Sequence, residues 1–272
     1  MRIINRHPGP RAAKFLAAAP FVTVVALYLI ASAIRLAANP DDRLLPSIGK
    51  MLSAVNLMAF TQDMATGNYL MLNDTLASLQ RLLEGLTIAV GIAFIVGVSV
   101  GMVPFLRRML VPFIAAFSMV PPLSVLPILF IIAGIGEAAK VTLIVIGTAP
   151  YMIRDLIMRV EEMPKAQLIK AQTLGASSWQ TALRVVVPQM LPRLIDSLRL
   201  SLGPAWIYLI SAEAIAAQDG LGYRIFLVRR YFAMDIIIPY VLWITLLAFL
   251  FDIFLRLVQR LAFPWFAGAK TQ

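Results

Sequence analysis

Long uncharged runs recur along the 272-residue chain, each bounded by charged residues or by proline and glycine. A helix needs roughly 20 apolar residues to cross the hydrocarbon core of a bilayer. Runs of about that length that carry few or no charges predict six transmembrane helices, at residues 15–34, 85–106, 109–136, 138–158, 200–218 and 236–255. The last three contain charged residues, which are Lys140, Arg154 and Asp155 near the ends of the fourth, Glu213 within the fifth and Asp252 near the end of the sixth. The pattern therefore predicts an all-α integral membrane protein with six transmembrane helices.

The first run also has features of a signal peptide, because basic residues precede it and residues 31–33 read Ala-Ser-Ala. A signal peptide has an apolar core of roughly 7–15 residues, and this run is longer. We therefore expect a helix that is retained in the membrane.

Glycine and proline mark two of the predicted spans. The second span contains glycines that favour close approach of another helix: Gly85, Gly91, Gly97 and Gly101. The third span contains four prolines and is predicted to be a broken helix. At its centre, Pro121 and Pro122 either expose backbone carbonyls to a passing solute or only bend the helix.

Composition narrows the function classes. Hydrophobic residues make up 60% of the chain and charged residues 14%, whereas a soluble domain carries about 25% charged residues. Cysteine is absent and His7 is the only histidine, which excludes disulfides, thiolate nucleophiles, zinc clusters and His-based triads. A cytosolic enzyme is therefore excluded, and so is an intramembrane enzyme that depends on these groups.

The 24 Lys and Arg residues predict the orientation, because basic residues near span ends are retained in the cytoplasm. With the N-terminus inside, most of them lie on the cytoplasmic side, and six spans place the C-terminus there too. The net charge of +10 then reflects topology and contact with anionic membrane lipid, and we expect no nucleic-acid partner. In the external segment, residues 38–80, the apolar stretch at 51–60 predicts an interfacial helix.

The predicted cytoplasmic segment, residues 159–199, contains signals for two short helices around a glycine. Pro164 is suited to a helix start and Gly175 to a helix stop. The sequence Ser-Ser-Trp-Gln from Ser177 matches a capping box for a second helix, which the prolines at 188 and 192 are predicted to end. The apolar residues of this loop either lie on the protein's own cytoplasmic end or form a docking surface for a partner protein.

Residues 169–188 resemble the EAA loop of the permease subunits of binding-protein-dependent ABC importers. That motif reads Glu-Ala-Ala, three residues, Gly, nine residues, Ile-x-Leu-Pro. Ala171, Gly175, Val185 and Pro188 stand at the second alanine, the glycine, the isoleucine and the proline. Isoleucine, lysine and valine at 169, 170 and 187 depart from the motif, so an ion pair made by the family's glutamate is not carried over.

The resemblance covers about residues 70–260 and is sharpest toward the nitrate/sulfonate/taurine branch. Three segments carry it: Ser-Met-Val-Pro-Pro at 118–122, Leu-Gly-Ala-Ser-Ser-Trp at 174–179, and residues 212–223, where Ala-Glu-Ala leads to Gly-Leu-Gly-Tyr. The resemblance implies a type I ABC importer permease fold in the bacterial inner membrane, with an ABC transmembrane type-1 domain at residues 71–260. Residues 1–70 then form the N-terminal tail, first helix and external interfacial segment, and residues 261–272 form a cytoplasmic tail.

The resemblance also implies the partners, which are two ABC ATPase subunits, an external substrate-binding protein, and a second copy of the permease or a paralogue. Loop 164–188 is then the coupling loop that fits a cleft on the ATPase, through Ile169, Lys170, Ala171, Leu174, Gly175, Ser177, Trp179, Val185 and Pro188. The sequence has no G-x-x-x-x-G-K-[ST] motif. We therefore expect a non-catalytic subunit that binds no cofactor, with ATP and Mg on the partner ATPase.

An ionisable residue inside a span is costly and is therefore a functional candidate. Glu213 in the fifth span either faces the translocation path or is a hydrated carboxylate near the membrane surface. Trp206 of the same span either lines the path or packs, and the two adjacent prolines of the third span complete the predicted path. Glu84, at the edge of the second span, is expected to pair with Arg81 three residues before it.

The resemblance implies a small anion as the solute, such as nitrate, a sulfonate, taurine or bicarbonate. Glu213 in an apolar path would also suit a small cation or neutral solute, such as guanidinium or urea. A secondary transporter is the alternative from a different class. It would need buried carboxylate chains or inverted repeats, which the sequence does not show.

Overall fold

The computed structural model describes residues 9–40, 42–64 and 67–269. His7 and the end of the predicted C-terminal tail, residues 270–272, lie outside the described residues. Within the described ranges the chain forms α1 (Pro10–Ala38), α2 (Ile48–Phe60), α3 (Leu70–Met102), α4 (Pro104–Phe117), α5 (Pro122–Ala133), α6 (Glu137–Glu161), α7 (Lys165–Thr173), α8 (Ser178–Thr181), a π-helical stretch (Ala182–Val186), α9 (Val187–Ala216), α10 (Leu221–Arg229), α11 (Met234–Ala262) and α12 (Pro264–Ala269).

Four helices in the described part of the chain, α1, α3, α6 and α11, are long and apolar enough to cross a membrane. Two bent pairs raise the number to six if each pair counts as one span: α4 with α5, bent by 91°, and the helical run Ser178–Ala216 with α10, bent by 55°. The all-α prediction is confirmed, with four to six candidate spans. The break predicted in the third span is confirmed as well, because α4 ends at Phe117 and α5 begins at Pro122.

Helix α3 begins well before the predicted second span. It starts at Leu70, so residues 70–80, predicted as part of the external segment, are helical and continuous with that span. Charged residues concealed the start from a hydropathy pattern, but Asp74 and Arg81 are buried and have ion-pair partners in the fold. The apolar stretch at 51–60 is helical, as predicted, within α2.

The larger compact unit, Leu70–Leu227 with the residues from Val241 onward, has α3, α6 and α9 at its core. Helices α3 and α6 meet at three glycines of α3, where an added Cβ atom would lie 2.7–2.8 Å from a side chain of α6. The facing pairs are Gly85 with Ile144, Gly97 with Leu156, and Gly101 with Val160. From one facing pair to the next, the residue numbers in α3 and in α6 increase by the same amount, so the two helices run parallel. The predicted close approach of another helix is confirmed at these three glycines.

A small apolar cluster joins the last turns of α3 and α6 to the start of α9. Its buried members are Val98, Val160, Met163, Val186 and Met190. Leu168 of α7 packs against the same cluster. The cluster therefore attaches loop 164–188 to the three core helices.

The smaller compact unit combines the residues up to Tyr69 with Val228–Tyr240. In the loop that follows α1, Asp42 accepts a hydrogen bond from the N–H of Leu44 at 2.8 Å and pairs with Arg35 of α1. The hydrogen bond from Leu44 and the contact with Arg35 both favour the charged carboxylate and lower the pKa of Asp42. This ion pair holds the loop against the end of α1.

We expect Gly97→Ala to destabilise the fold, because the new methyl group would lie 2.8 Å from Leu156 Cβ and 3.3 Å from the carbonyl oxygen of Ile153. Overpacking of this kind costs roughly 1–3 kcal/mol. Gly91→Ala on the same helix is the matched control, since its methyl group would meet no described atom within 4 Å. The unfolding temperature in detergent should fall only for the first variant, and equal temperatures for the two would contradict the packing of α3 on α6.

Candidate functional site

Loop 164–188 folds as a short helix, a glycine turn and a second short helix. Helix α7 ends in a left-handed turn at Gly175, whose φ is 82°. The N–H groups of Gly175 and Ala176 donate to the carbonyls of Gln172 and Ala171 at 2.9 and 3.0 Å, the paired bonds that close a helix end at glycine. An added Cβ at Gly175 would meet no described atom within 4 Å, so the backbone conformation alone favours glycine here.

The second helix of the loop begins with the predicted capping box. Ser177 Oγ accepts a hydrogen bond from the N–H of Gln180 at 3.2 Å, and Gln180 Oε1 accepts one from the N–H of Ser177 at 2.9 Å. These reciprocal bonds satisfy two backbone donors that the helix start would otherwise leave unpaired. The chain therefore turns at Gly175, and the capping box at Ser177 then sets the direction of the second helix.

The prediction that Pro188 and Pro192 end this second helix is wrong. Helix α8 continues through the π-helical stretch into α9, which ends at Ala216. Pro188 is the second residue of α9 and directly follows the π-helical stretch, so it lies inside a continuous helical run, where its missing N–H removes one helical hydrogen bond. Pro192 lies inside α9 and is buried.

The loop combines an inward apolar side with an exposed apolar tip. Leu168 and Val186 pack on the cluster at the ends of the core helices. Ile169, Leu174 and Trp179 are 60%, 79% and 71% exposed. Large exposed apolar side chains grouped on one short segment are typical of a surface that binds another protein.

The remaining loop residues that the resemblance assigns to coupling divide by burial. Lys170, Gly175 and Ser177 are exposed, whereas Ala171, Val185 and Pro188 are half-buried. All nine assigned residues lie on one stretch between α7 and the first turn of α9. Their role in coupling to an ATPase stays a prediction.

A cluster of charged side chains is buried near the start of α3, and Glu213 is part of it. The Glu213 side chain is fully buried. It accepts hydrogen bonds from the hydroxyl of Ser78 at 2.7 Å, the guanidinium of Arg81 at 2.9 Å and the N–H of Gly222 at 2.8 Å. The alternative of a hydrated carboxylate at the membrane surface is therefore wrong.

Arg81 joins this cluster to two further segments of the chain. Its guanidinium pairs with Glu137 at the start of α6 and with Asp219 Oδ1, at 2.5 Å, in the turn between α9 and α10. The predicted pair between Arg81 and Glu84 is wrong, because Arg81 points into the protein. Glu84 accepts a hydrogen bond from Gln80 at 2.9 Å instead.

Three polar residues that the hydropathy pattern did not identify, Asp74, Ser78 and Arg81, share one face of α3. Asp74 pairs with Arg224 at 2.8 Å and accepts a hydrogen bond from the N–H of Gly220 at 3.1 Å. The three positions are spaced by four and three residues, which places them one above another on a helix. That periodicity is the signal in the sequence that could have revealed them.

Trp206 and the two adjacent prolines are the other residues predicted for the translocation path. Trp206 is 4% exposed on α9, and its Nε1 has no hydrogen-bond partner among the described residues. Pro121 precedes α5 and Pro122 begins it, at the 91° bend from α4. The bend predicted for this pair is confirmed, while the assignment of Glu213, Trp206 and the prolines to a path stays a prediction.

An open cleft of about 230 Å³ lies between α6 and α9. Its lining residues are Gly147, Thr148, Tyr151 and Asp155 of α6 and Ser197, Leu200, Ser201 and Pro204 of α9. Most of the polar groups in the cleft are hydroxyls, which hydrogen-bond a solute without carrying charge. Glu213, Trp206 and the two prolines do not line this cleft.

Residues 85–266 match the family described as "Binding-protein-dependent transport system inner membrane component". The chain belongs to this family. The match spans α6, loop 164–188 and α9. These segments contain the cleft, Glu213 and the elbow, by which we mean the turn at Gly175 and the capping box at Ser177.

Two relatives show the branch of the family. The permease is 35% identical to the taurine transport system permease protein TauC of Escherichia coli K12 over 189 residues, which cover 70% of this chain and 69% of the relative. It is 29% identical to the bicarbonate transport system permease protein CmpB of Synechococcus elongatus over 189 residues, 69% of this chain and 68% of that protein. The permease belongs to the nitrate/sulfonate/taurine branch, as the resemblance predicted.

A solved structure of a bacterial alginate ABC transporter, in complex with an alginate pentasaccharide-bound periplasmic protein, contains a chain of similar fold. The TM-score is 0.62 at 13% sequence identity, over 91% of the permease and 95% of that chain. At this level of identity the likeness shows the fold alone.

We expect Arg81→Met to destabilise the permease strongly, because it leaves the carboxylate of Glu213 buried without a countercharge. Breaking a buried pair in this way costs roughly 3–5 kcal/mol. The double variant Arg81→Met/Glu213→Gln should recover part of the loss, since a buried amide carries no charge. The measurement is the free energy of unfolding in detergent, determined for the single and the double variant.

Arg256→Met is the matched control for this series. Arg256 is exposed and pairs with Asp252 four residues before it, and an exposed pair contributes about 0–1 kcal/mol. If Arg81→Met cost no more than Arg256→Met, the buried cluster would not hold the helices together.

Proposed function

We propose that this chain is the permease subunit of an ATP-driven importer that moves a small anion across the bacterial inner membrane. The family match and the all-helical fold support the transport role. The relatives named for taurine and bicarbonate support a small anion as solute. In this proposal an external binding protein delivers the solute, and the permease works with two ATPase subunits and a second copy or a paralogue.

In the proposed orientation each bent pair crosses the membrane once, which makes six spans with both termini in the cytoplasm. The end of the helices that carries loop 164–188 then faces the cytoplasm. Arg108, Lys170 and Arg184 are exposed at that end, and basic residues are retained on the cytoplasmic side. The charge distribution thus supports the same orientation as the resemblance.

The geometry of loop 164–188 is the observation that carries the proposal. Leu174 and Trp179 are exposed on a capped elbow, and the helix after the elbow runs without a break from Ser178 to Ala216. We propose that the ATPase binds this tip. When the ATPase moves, the tip moves with it, and the continuous helix transmits that displacement to the cleft between α6 and α9. Rigid-body movement of a helix that is attached at one end is an established way to open a site at a distance.

The cleft between α6 and α9 is the proposed passage for the solute. Tyr151 and Ser197 bring hydroxyl donors that suit the oxygens of a sulfonate or a bicarbonate. Asp155 is paired with Arg159 at 3.3 Å, which offsets its negative charge. The volume of about 230 Å³ is below the roughly 300–1,000 Å³ of sites for drug-sized ligands, in keeping with a small solute.

Uptake by proteoliposomes tests this function. With its ATPase and binding protein, the permease should accumulate labelled taurine or bicarbonate only when ATP is supplied, and it should not accumulate guanidinium. The purified permease alone should hydrolyse no ATP, because the chain has no phosphate-binding loop. Hydrolysis by the permease alone, or uptake driven by an ion gradient without ATP, would contradict the proposal.

We expect Gly175→Val to separate ATP hydrolysis from transport, because a β-branched residue is strained at φ 82°. Gly175→Asn is the matched control, since asparagine adopts the left-handed conformation far more readily. The ratio of solute transported to ATP hydrolysed should fall for the valine variant and remain near the wild-type value for the asparagine variant. A normal ratio for Gly175→Val would show that the elbow does not couple the two subunits.

A further inference from the structure

A cavity of about 810 Å³ lies behind loop 164–188, between α7, α8 and the ends of α3 and α6. Val160, Leu168 and Val186 form an apolar wall, and Arg107 and Lys165 also line the cavity. Of the exposed tip of the loop, Ile169 lines the rim of the cavity, whereas Leu174 and Trp179 do not. The cavity therefore adjoins the surface that we propose for the ATPase and shares Ile169 with it.

One residue that lines the cavity carries a hydroxyl group with no hydrogen-bond partner in the described part of the chain. Thr181 lines the cavity and is 5% exposed. Thr148 and Ser201, which are also buried in helices, each donate to the carbonyl four residues before them, the usual solution for a hydroxyl in a helix. Thr181 Oγ1 makes no such bond and has no partner among the described residues. A buried hydroxyl left unpaired is costly, so this group fits a site for a hydrogen-bonding ligand.

The charge around Thr181 favours an anion. Lys165 is exposed and makes no ion pair within the described part of the chain. Arg107 donates to the carbonyl of Gly101 and pairs with Glu161 at 2.6 Å. Its Nε is buried and has no hydrogen-bond partner in the described ranges. Arg107 and Lys165, two basic residues, thus line the same cavity as Thr181, whose hydroxyl is unpaired.

The position of the cavity indicates which kind of anion would reach it. It lies beside the last residues of α3 and α6, two helices that are long and apolar enough to cross a membrane. A helix leaves the hydrocarbon core at the level of the lipid headgroups. Next to the cavity, Val103 and Phe105 are 43% and 76% exposed, so apolar surface continues from the cavity to the outside of the helices.

We propose that this cavity binds one anionic phospholipid. Its phosphate accepts hydrogen bonds from Thr181 and Arg107 and lies near the ammonium group of Lys165, and an acyl chain packs along Val160 and Leu168. A free phosphate would leave the apolar wall uncovered, which makes the lipid the better match. Basic pockets between membrane helices near the headgroups are suited to such lipids. This inference goes beyond the proposed function and holds whichever solute is transported.

Native mass spectrometry of the purified full-length chain, titrated with phosphatidylglycerol or phosphatidylcholine, tests the site. Lys165→Gln should weaken phosphatidylglycerol binding about fivefold, the effect of one basic residue near a lipid surface. Thr181→Val keeps the shape of the side chain and should weaken binding by at least about tenfold, as a lost bond to a charged group does. Phosphatidylcholine should bind more weakly than phosphatidylglycerol to the wild-type chain.

Two control variants distinguish the cavity from general surface charge. Lys170→Gln removes a basic residue of the same helix, and Thr173→Val removes an exposed hydroxyl that bonds the carbonyl of Ile169 at 2.9 Å; neither residue lines the cavity. Both controls should bind phosphatidylglycerol as the wild type does.

Three results would overturn the proposal. The first is equal binding by the wild type and by Lys165→Gln and Thr181→Val. The second is an equal loss in the controls. The third is competition by inorganic phosphate at the concentration at which phosphatidylglycerol binds, which would show a site for a free anion. Because binding is measured without the ATPase or the solute, a failure of transport would leave this result unaffected.

Discussion

A single buried guanidinium, that of Arg81, fixes how the core helices of the permease meet. Burial of a charge is costly unless it is paired and hydrogen-bonded, and Arg81 is paired with Glu213 of α9, Glu137 of α6 and Asp219 of the next turn. The turn after α9 must also approach closely. An added Cβ at Gly220 would lie 2.6 Å from the carboxyl carbon of Glu213, so a larger residue there would push the turn away from the charges.

The opposite ends of the core helices are held by apolar packing. Helix α3 carries Arg81 near its start and Gly101 near its end, where Val160 of α6 packs against it. Helix α9 connects both regions, because it begins in the apolar cluster that holds loop 164–188 and ends just beyond Glu213. A displacement of the loop therefore acts on a helix whose far end is attached by ion pairs, and the cleft between α6 and α9 lies between these two attachments.

Local signals in the sequence were sufficient for the elements that depend on neighbouring residues. The left-handed turn at Gly175, the capping box at Ser177 and the break before Pro122 were all predicted, since each is decided by the conformation of a few consecutive residues. Pro188 shows the limit of such signals. Proline was predicted to end the second helix of the loop, but the helical run continues past Pro188, with a π-helical stretch directly before it.

The sequence by itself determined the helical membrane class, the elbow of loop 164–188 and the family, because hydrophobic length, turn residues and motif spacing are local properties. Only the tertiary structure decided which charges are buried together. Arg81 has Glu84 within one helical turn, yet it pairs with residues 56, 132 and 138 positions away. The choice of partner depends on which helices pack side by side, and that in turn depends on glycines and apolar side chains distant in the chain. No short segment contains this information, so the buried cluster and the cavity behind the loop became visible only in the folded protein.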